Sequence, residues 1–188
     1  MYDPRDGVTP LDWRKDVDVI ADATRAAVTA LFREHPKDRF YYCALTTTGE
    51  VRSPVLTAWS WEALDAAVKE RDNDPNARAA LKWSYADSPF YCYGDQYFGG
   101  VRRLFDTLTP SDVTDAQAQA AKTFKMNAMV AAMKRLDQDG VFGNGSRRTG
   151  IVINVEFMPP DHSNVERARE LNPPEALTAW LREAAEPR

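Results

Sequence analysis

Residues 82–98 read KWSYADSPFYCYGDQYF and hold Trp83, Tyr85, Phe90, Tyr91, Tyr93, Tyr97 and Phe98, seven of the chain's twenty aromatic side chains. Trp and Tyr join a large apolar surface to a polar handle, a combination used at binding surfaces and at core edges alike. Asp87-Ser88-Pro89 is a turn signature in which the Asp carboxylate bonds backbone N–H groups ahead of it. One reading aims Trp83 and Tyr85 into a pocket with Asp87 as its polar floor. The other lays the segment against a sheet, with Asp87 fixing the loop, and it is the simpler of the two. Divided this way, Phe90 and Phe98 belong to the core, and Tyr91 and Tyr93 alternate around Cys92 as a short extra strand. Trp83, Tyr85 and Asp87 are the part able to face a ligand.

A second candidate is the loop GVFGNGSRRTG, residues 140–150. Its glycines could expose backbone N–H groups, and Arg147 and Arg148 could pair with an anion. The order of elements argues against a phosphate loop, because a helix enters this segment and a strand leaves it. Gly140 then serves as a helix C-cap and the rest as a connector. Catalytic and metal chemistry find little support. His35 and His162 stand apart, Cys43 and Cys92 form no C-x-x-C pair, and no zinc-ligand spacing is present. Ser88 precedes a proline with no histidine in view, and there is no G-x-S-x-G. Neither a catalytic residue nor a cofactor is expected.

The 188 residues carry 24 basic and 28 acidic side chains, a net charge of −4, with 44% hydrophobic residues. That balance lacks the basic footprint of a nucleic-acid binder and describes a folded protein. The opening MYDPRDGVTP has no apolar run of a signal peptide, and no stretch approaches the ~18 apolar residues of a membrane span. A cytoplasmic location with two free thiols is the expectation.

These candidates must be positioned by a mixture of helices and strands. Thr9-Pro10-Leu11-Asp12 starts a long amphipathic helix that runs to Pro36, and RFYYCALTT reads as a strand covered on both faces. VRSPVLTAW returns as a second strand, kept to an edge or a bulge by Pro54, and Ser60 caps the helix after it. Thr114-x-x-Gln117 has capping-box form and opens a helix to about Gln138. Residues 151–158 alternate as a strand, and two short helices follow. This predicts one α+β domain over residues 1–188, with 1–8 a flexible N-terminal segment. Its sheet is expected to be mainly antiparallel, of three to five strands packed with several helices.

RFYYCALTTTGE, KWSYADSPF, DGVFGNGSRRTGIVINV and RARELNPP, in that order, resemble a bacterial family known as domain-of-unknown-function family 4303. The resemblance runs over roughly residues 15–185. Its most specific element is Trp83, Ser84, Ala86, Asp87 and Pro89, supported by Leu171-Asn172-Pro173 and Gly140-x-Phe142-Gly143. It carries over no catalytic residue. Small acidic α+β proteins of this kind also occur among immunity proteins of bacterial toxin systems, an analogy of fold and size. The expected function is therefore a non-catalytic protein-binding domain of immunity or accessory type. The alternative is a small-molecule enzyme or ligand-binding domain that uses segment 83–93 with an Arg147/Arg148 anion loop.

Overall fold

In the computed structural model, described for residues 10–108 and 114–186, the centre is the strand β1 (Phe40–Thr48). The expected cap at Thr9 and flexible segment 1–8 lie outside the described residues. β1 pairs antiparallel with β2 (Val55–Ser60) and parallel with β3 (Val152–Met158), so the order is β2-β1-β3. The sheet is thus mixed rather than mainly antiparallel, and has three strands among the described residues. The physical reason is the connection. β1 and β2 are joined by a hairpin turn, which forces antiparallel pairing, whereas β3 returns after a long helical excursion and can enter in the direction of β1.

Helices cover both faces. Cys43, Leu45, Leu56, Ala58, Ile153 and Val155 point into one core with α1 (Pro10–Glu34), α4 (Gly99–Thr107) and α5 (Asp115–Gln138). Tyr42, Ala44, Trp59 and Val152 point into the other, with α2 (Trp61–Glu70), α3 (Ala77–Leu81), α7 (His162–Leu171) and α8 (Pro174–Glu183). The period-2 alternation of strand side chains supplies both faces from one sequence. A bulge between Phe40 and Tyr42 breaks that alternation and places Tyr41 beside Tyr42 in the second core. Local signals act as written. The Ser60 hydroxyl accepts from the Ala63 N–H at 3.0 Å, and Thr114 and Gln117 close a reciprocal capping box on α5.

Both outer edges of the sheet are covered, by two different devices. At β3 the cover is side chains around α7. The Asn172 amide accepts from the Ile153 N–H (2.8 Å) and donates to the Ile153 carbonyl (2.6 Å). Asn164 accepts from the Phe157 N–H (2.8 Å), and Arg167 donates to the Val155 carbonyl (2.6 Å). At β2 the cover is the aromatic segment. Such edges, left open, are templates for unwanted pairing.

Candidate functional site

The aromatic segment lies across β2 as a strap. The carbonyls of Lys82, Ser84 and Tyr85 accept from the side chains of Tyr41 (2.5 Å), Trp59 (2.7 Å) and Thr57 (3.1 Å). The Ser88 hydroxyl donates to the Ala58 carbonyl, and the Tyr93 N–H donates to the Leu56 carbonyl at 3.2 Å. Phe90 and Phe98 are buried, as expected for core residues. The extra strand at Tyr91–Tyr93 is replaced by a turn with Cys92 at φ +57°, because only one ladder-like bond, that of Tyr93, reaches β2.

Each candidate of the strap has a partner within the fold. The half-buried Trp83 donates from Nε1 to Glu183 (3.0 Å) and meets Tyr41 edge-on at 5.2 Å, with the Lys82 ammonium 5.1 Å from its ring. The Lys82 ammonium, Arg182 and the Trp83 indole hold the Glu183 carboxyl down at about 2. Asp87 accepts from the Ser84 hydroxyl (2.6 Å) and from Arg71 (2.8 Å); the Ser84 bond leads in lowering its carboxyl below the usual range. Tyr85 is half-buried.

Arg147 and Arg148 fall on a short helix, α6 (Gly145–Thr149), that the sequence reading treats as connector. The Arg148 guanidinium is buried and donates to Asp137, to the Ile151 (2.8 Å) and Leu171 (2.8 Å) carbonyls, and to Asn172 (3.2 Å). It therefore braces the Asn172 amide that covers β3. Arg147 is exposed, 5.8 Å from the Phe32 ring, and lines a cleft of about 460 Å³ with Lys37, Arg39 and Trp61. None of Trp83, Tyr85 and Asp87 lines that cleft, so the two groups of candidates are not brought together.

A cleft of about 650 Å³ opens instead between the β1–β2 turn, α4 and α5. Its volume falls in the range of small-molecule pockets. Glu50, Val51, Arg52 and Ser53 come from the turn, Arg102, Phe105 and Asp106 from α4, and Ala118, Lys122 and Lys125 from α5. The α5 residues share one face through spacings of four and three. Lys125 is 4% exposed. Its ammonium lies 3.4 Å from the Val51 carbonyl and 5.0 Å from the Phe105 ring. Burial pushes this amine down to about 8, against a smaller opposing pull from Asp106.

Two further irregularities meet at the same wall. Val51 takes φ +50°, a conformation that costs a β-branched residue on the order of 1–3 kcal/mol. It is held there by a fully buried side chain and by its N–H bond to the Thr48 carbonyl at 2.8 Å. Beside it, the buried Ser53 Oγ has no hydrogen-bond partner among the described residues. Polar atoms in that condition are rare in native proteins and mark places where a ligand or water completes the set.

A family of domains of unknown function, DUF4303, matches residues 20–173. The chain belongs to the DUF4303 family. No curated protein and no solved structure matches it. The matched span holds the strap, the Arg147/Arg148 helix and all the residues of the 650 Å³ cleft, and it ends before Glu183.

Sequence reasoning passed over the cleft, though one signal was present. Lys125 stands four residues from Ala121 and four from Met129, both buried, so a charge occupies the core stripe of α5. A second such signal is Glu156, a buried acidic residue on β3. It accepts from the Tyr42 hydroxyl (2.8 Å) and the Asn154 amide (2.9 Å), and burial raises its pKa despite those bonds. Among the described residues, no group of three or more His, Cys, Asp and Glu is placed to hold a metal, and no helix is long and apolar enough to cross a membrane.

Proposed function

We propose that the chain is a ligand-binding domain whose site is the cleft between the β1–β2 turn, α4 and α5. The observation that carries this reading is a lysine buried in the wall of an open cleft, beside a buried hydroxyl with no partner among the described residues. Burying an ammonium costs folding free energy, and such costs collect where a protein uses the group. No reaction is assigned to it.

The test is a thermal-shift screen of anionic, neutral and cationic small molecules, read against Ala118→Trp, which fills the cleft from α5. A ligand bound at this site must raise the melting temperature of the parent protein and leave the variant unmoved. If every stabilising compound acts equally on both proteins, the site is elsewhere.

A protein-binding role, of immunity or accessory type and in the cytoplasm, is the second reading. It is favoured by Tyr91 and Tyr97, which are 41% and 38% exposed and come from the same strap. With Val19, they are the large apolar side chains exposed among the described residues. Tyrosine is enriched at protein interfaces. Capture of a defined partner that survives in Ala118→Trp and is lost in a Tyr91→Ser, Tyr97→Ser double variant would favour this reading over the first.

A further inference from the structure

We propose that the cleft of about 460 Å³ beside α6 is a second site, one that takes a small aromatic anion. The carboxylate or phosphate group of that ligand lies at Arg147 and Lys37, and its ring on Phe32, Phe40 and Trp61. The site goes beyond the ligand-binding reading above and does not depend on it. The first cleft opens past the end of β1, this one lies at its start, and they share no lining residue. The groups it uses are accessible: Lys37 and Arg147 are exposed, and the three rings are half-buried. The volume is that of a small-molecule pocket.

Three basic side chains, Lys37, Arg39 and Arg147, line this cleft against one acidic one, Asp38. Arg39 is taken up by Glu62, which accepts from its Nε at 2.8 Å and from its backbone N–H at 2.7 Å. Asp38 accepts from the buried Ser60 hydroxyl at 2.6 Å. Lys37 and Arg147 have no carboxylate within ion-pair distance among the described residues. With Glu62 counted, three positive charges stand against two negative ones, so one is left for a ligand in a chain whose net charge is −4.

Arg147 is also held in place. Gly143 takes φ +96°, and a Cβ there would come within 2.8 Å of the Arg147 Cγ and Cδ, so the arginine stem lies against the bare glycine. A long side chain ordered before binding loses less entropy when the ligand arrives. Its neighbour Arg148 is buried in the fold, so Arg147 is the arginine of the pair that is presented. A guanidinium is a fork of donors matched to a carboxylate or phosphate, and charge-assisted bonds of this kind are the strong ones. The rings of the wall are fixed as well, Phe32 on Phe40 at 4.9 Å and Trp61 on Tyr41 at 4.2 Å. A ligand ring extends such a cluster edge-on or offset. A cationic ligand would meet like charge, a neutral ring would leave the surplus charge uncompensated, and a bare inorganic ion would leave the rings uncovered.

The experiment titrates phenyl phosphate, benzoate, benzamide, benzylamine and inorganic phosphate into the full chain by calorimetry, and into Arg147→Gln, Lys37→Gln and Ala118→Trp. Both glutamine variants change exposed positions and leave the core intact. Phenyl phosphate or benzoate should bind more tightly than the other three probes, and comparing the two separates a phosphate site from a carboxylate site. Each glutamine variant should weaken the anion by roughly tenfold, the loss of one charge-assisted hydrogen bond. Ala118→Trp, which fills the first cleft, should leave it unchanged. In proton–nitrogen spectra of the five tryptophan indoles, the bound anion should move the Trp61 signal and leave that of Trp13, at the opposite end of α1 from Phe32. Any one of four results would overturn the assignment. These are no binding of either aromatic anion at millimolar concentration, benzamide or inorganic phosphate binding as tightly, affinity unchanged in Arg147→Gln or in Lys37→Gln, and a Trp61 signal that does not move. Anion binding abolished by Ala118→Trp would overturn it too, and would give the anion to the first cleft.

Discussion

Replacing Lys125 by Met should make the protein more stable, because the native lysine is held against its own preference. Burial lowers its pKa from 10.5 to about 8. At about 1.4 kcal/mol per unit that depression corresponds to roughly 3 kcal/mol. At neutral pH the amine is charged in the folded and unfolded chains alike, so the whole of that free energy weighs against folding. Methionine keeps an unbranched stem of similar length and drops the charge. Among the ammonium's interactions it forfeits the long contact to the Val51 carbonyl and the approach to the Phe105 ring, about 1 kcal/mol for these two. The net expectation is a gain of about 2 kcal/mol near neutrality. The sign of the pH dependence follows from proton counting. Between about 8 and 10.5 the unfolded chain holds the Lys125 proton and the folded chain releases it, so parent stability rises with pH across this window. The variant lacks this contribution, and its advantage should shrink as pH rises. Urea unfolding of both proteins near neutrality and again at about pH 9.5 measures the difference directly. A variant no more stable than the parent near neutrality, or an advantage unchanged at the higher pH, would refute the claim that Lys125 is a buried, penalised charge.

Asn172→Ala should cost about 3 kcal/mol, since it strips partners from the Ile153 N–H and carbonyl on a buried edge and removes one acceptor from Arg148; denaturant midpoints with unchanged m-value check it. Glu156→Gln should be more stable than the parent at neutral pH, because the amide carries no charge, its oxygen still accepts from Asn154 and its NH2 can donate to a re-oriented Tyr42 hydroxyl. A buried carboxyl whose pKa is raised loses folding stability as pH climbs above its ordinary value of 4.5, so the gap between the two proteins should close toward acid, as thermal melts across the acidic range would reveal. Asp87→Asn should cost less than about 1 kcal/mol, as its pair with Arg71 is exposed and its bond to Ser84 survives in part; a loss of several kcal/mol by urea unfolding would mean the strap turn is far more central than its exposure implies.

What could be read from the chain alone is what depends on near neighbours. The capping box at Thr114 and Gln117, the Ser60 cap, the burial of Phe90 and Phe98 and the two-sided covering of β1 all follow from residue type and short spacing. The mixture of helix and strand follows in the same way, since periods of 3.6 and 2 are visible within one segment. The direction of β3 does not follow, because strand polarity is set by the path of the connection and not by the alternation of side chains. Nor do the edge covers: Asn172 reaches Ile153 across 19 positions, and Ser88 reaches Ala58 across 30. KWSYADSPF and RARELNPP stand out in the sequence, yet both carry residues that close the sheet edges, and Arg148 braces one of them. Only the tertiary structure brings Lys125 to Val51, 74 positions away, and Ser53 to the same wall. The physical reason is that a cleft is the space left between elements packed from distant parts of the chain, so the local pattern shows no more of it than a charge on a core stripe.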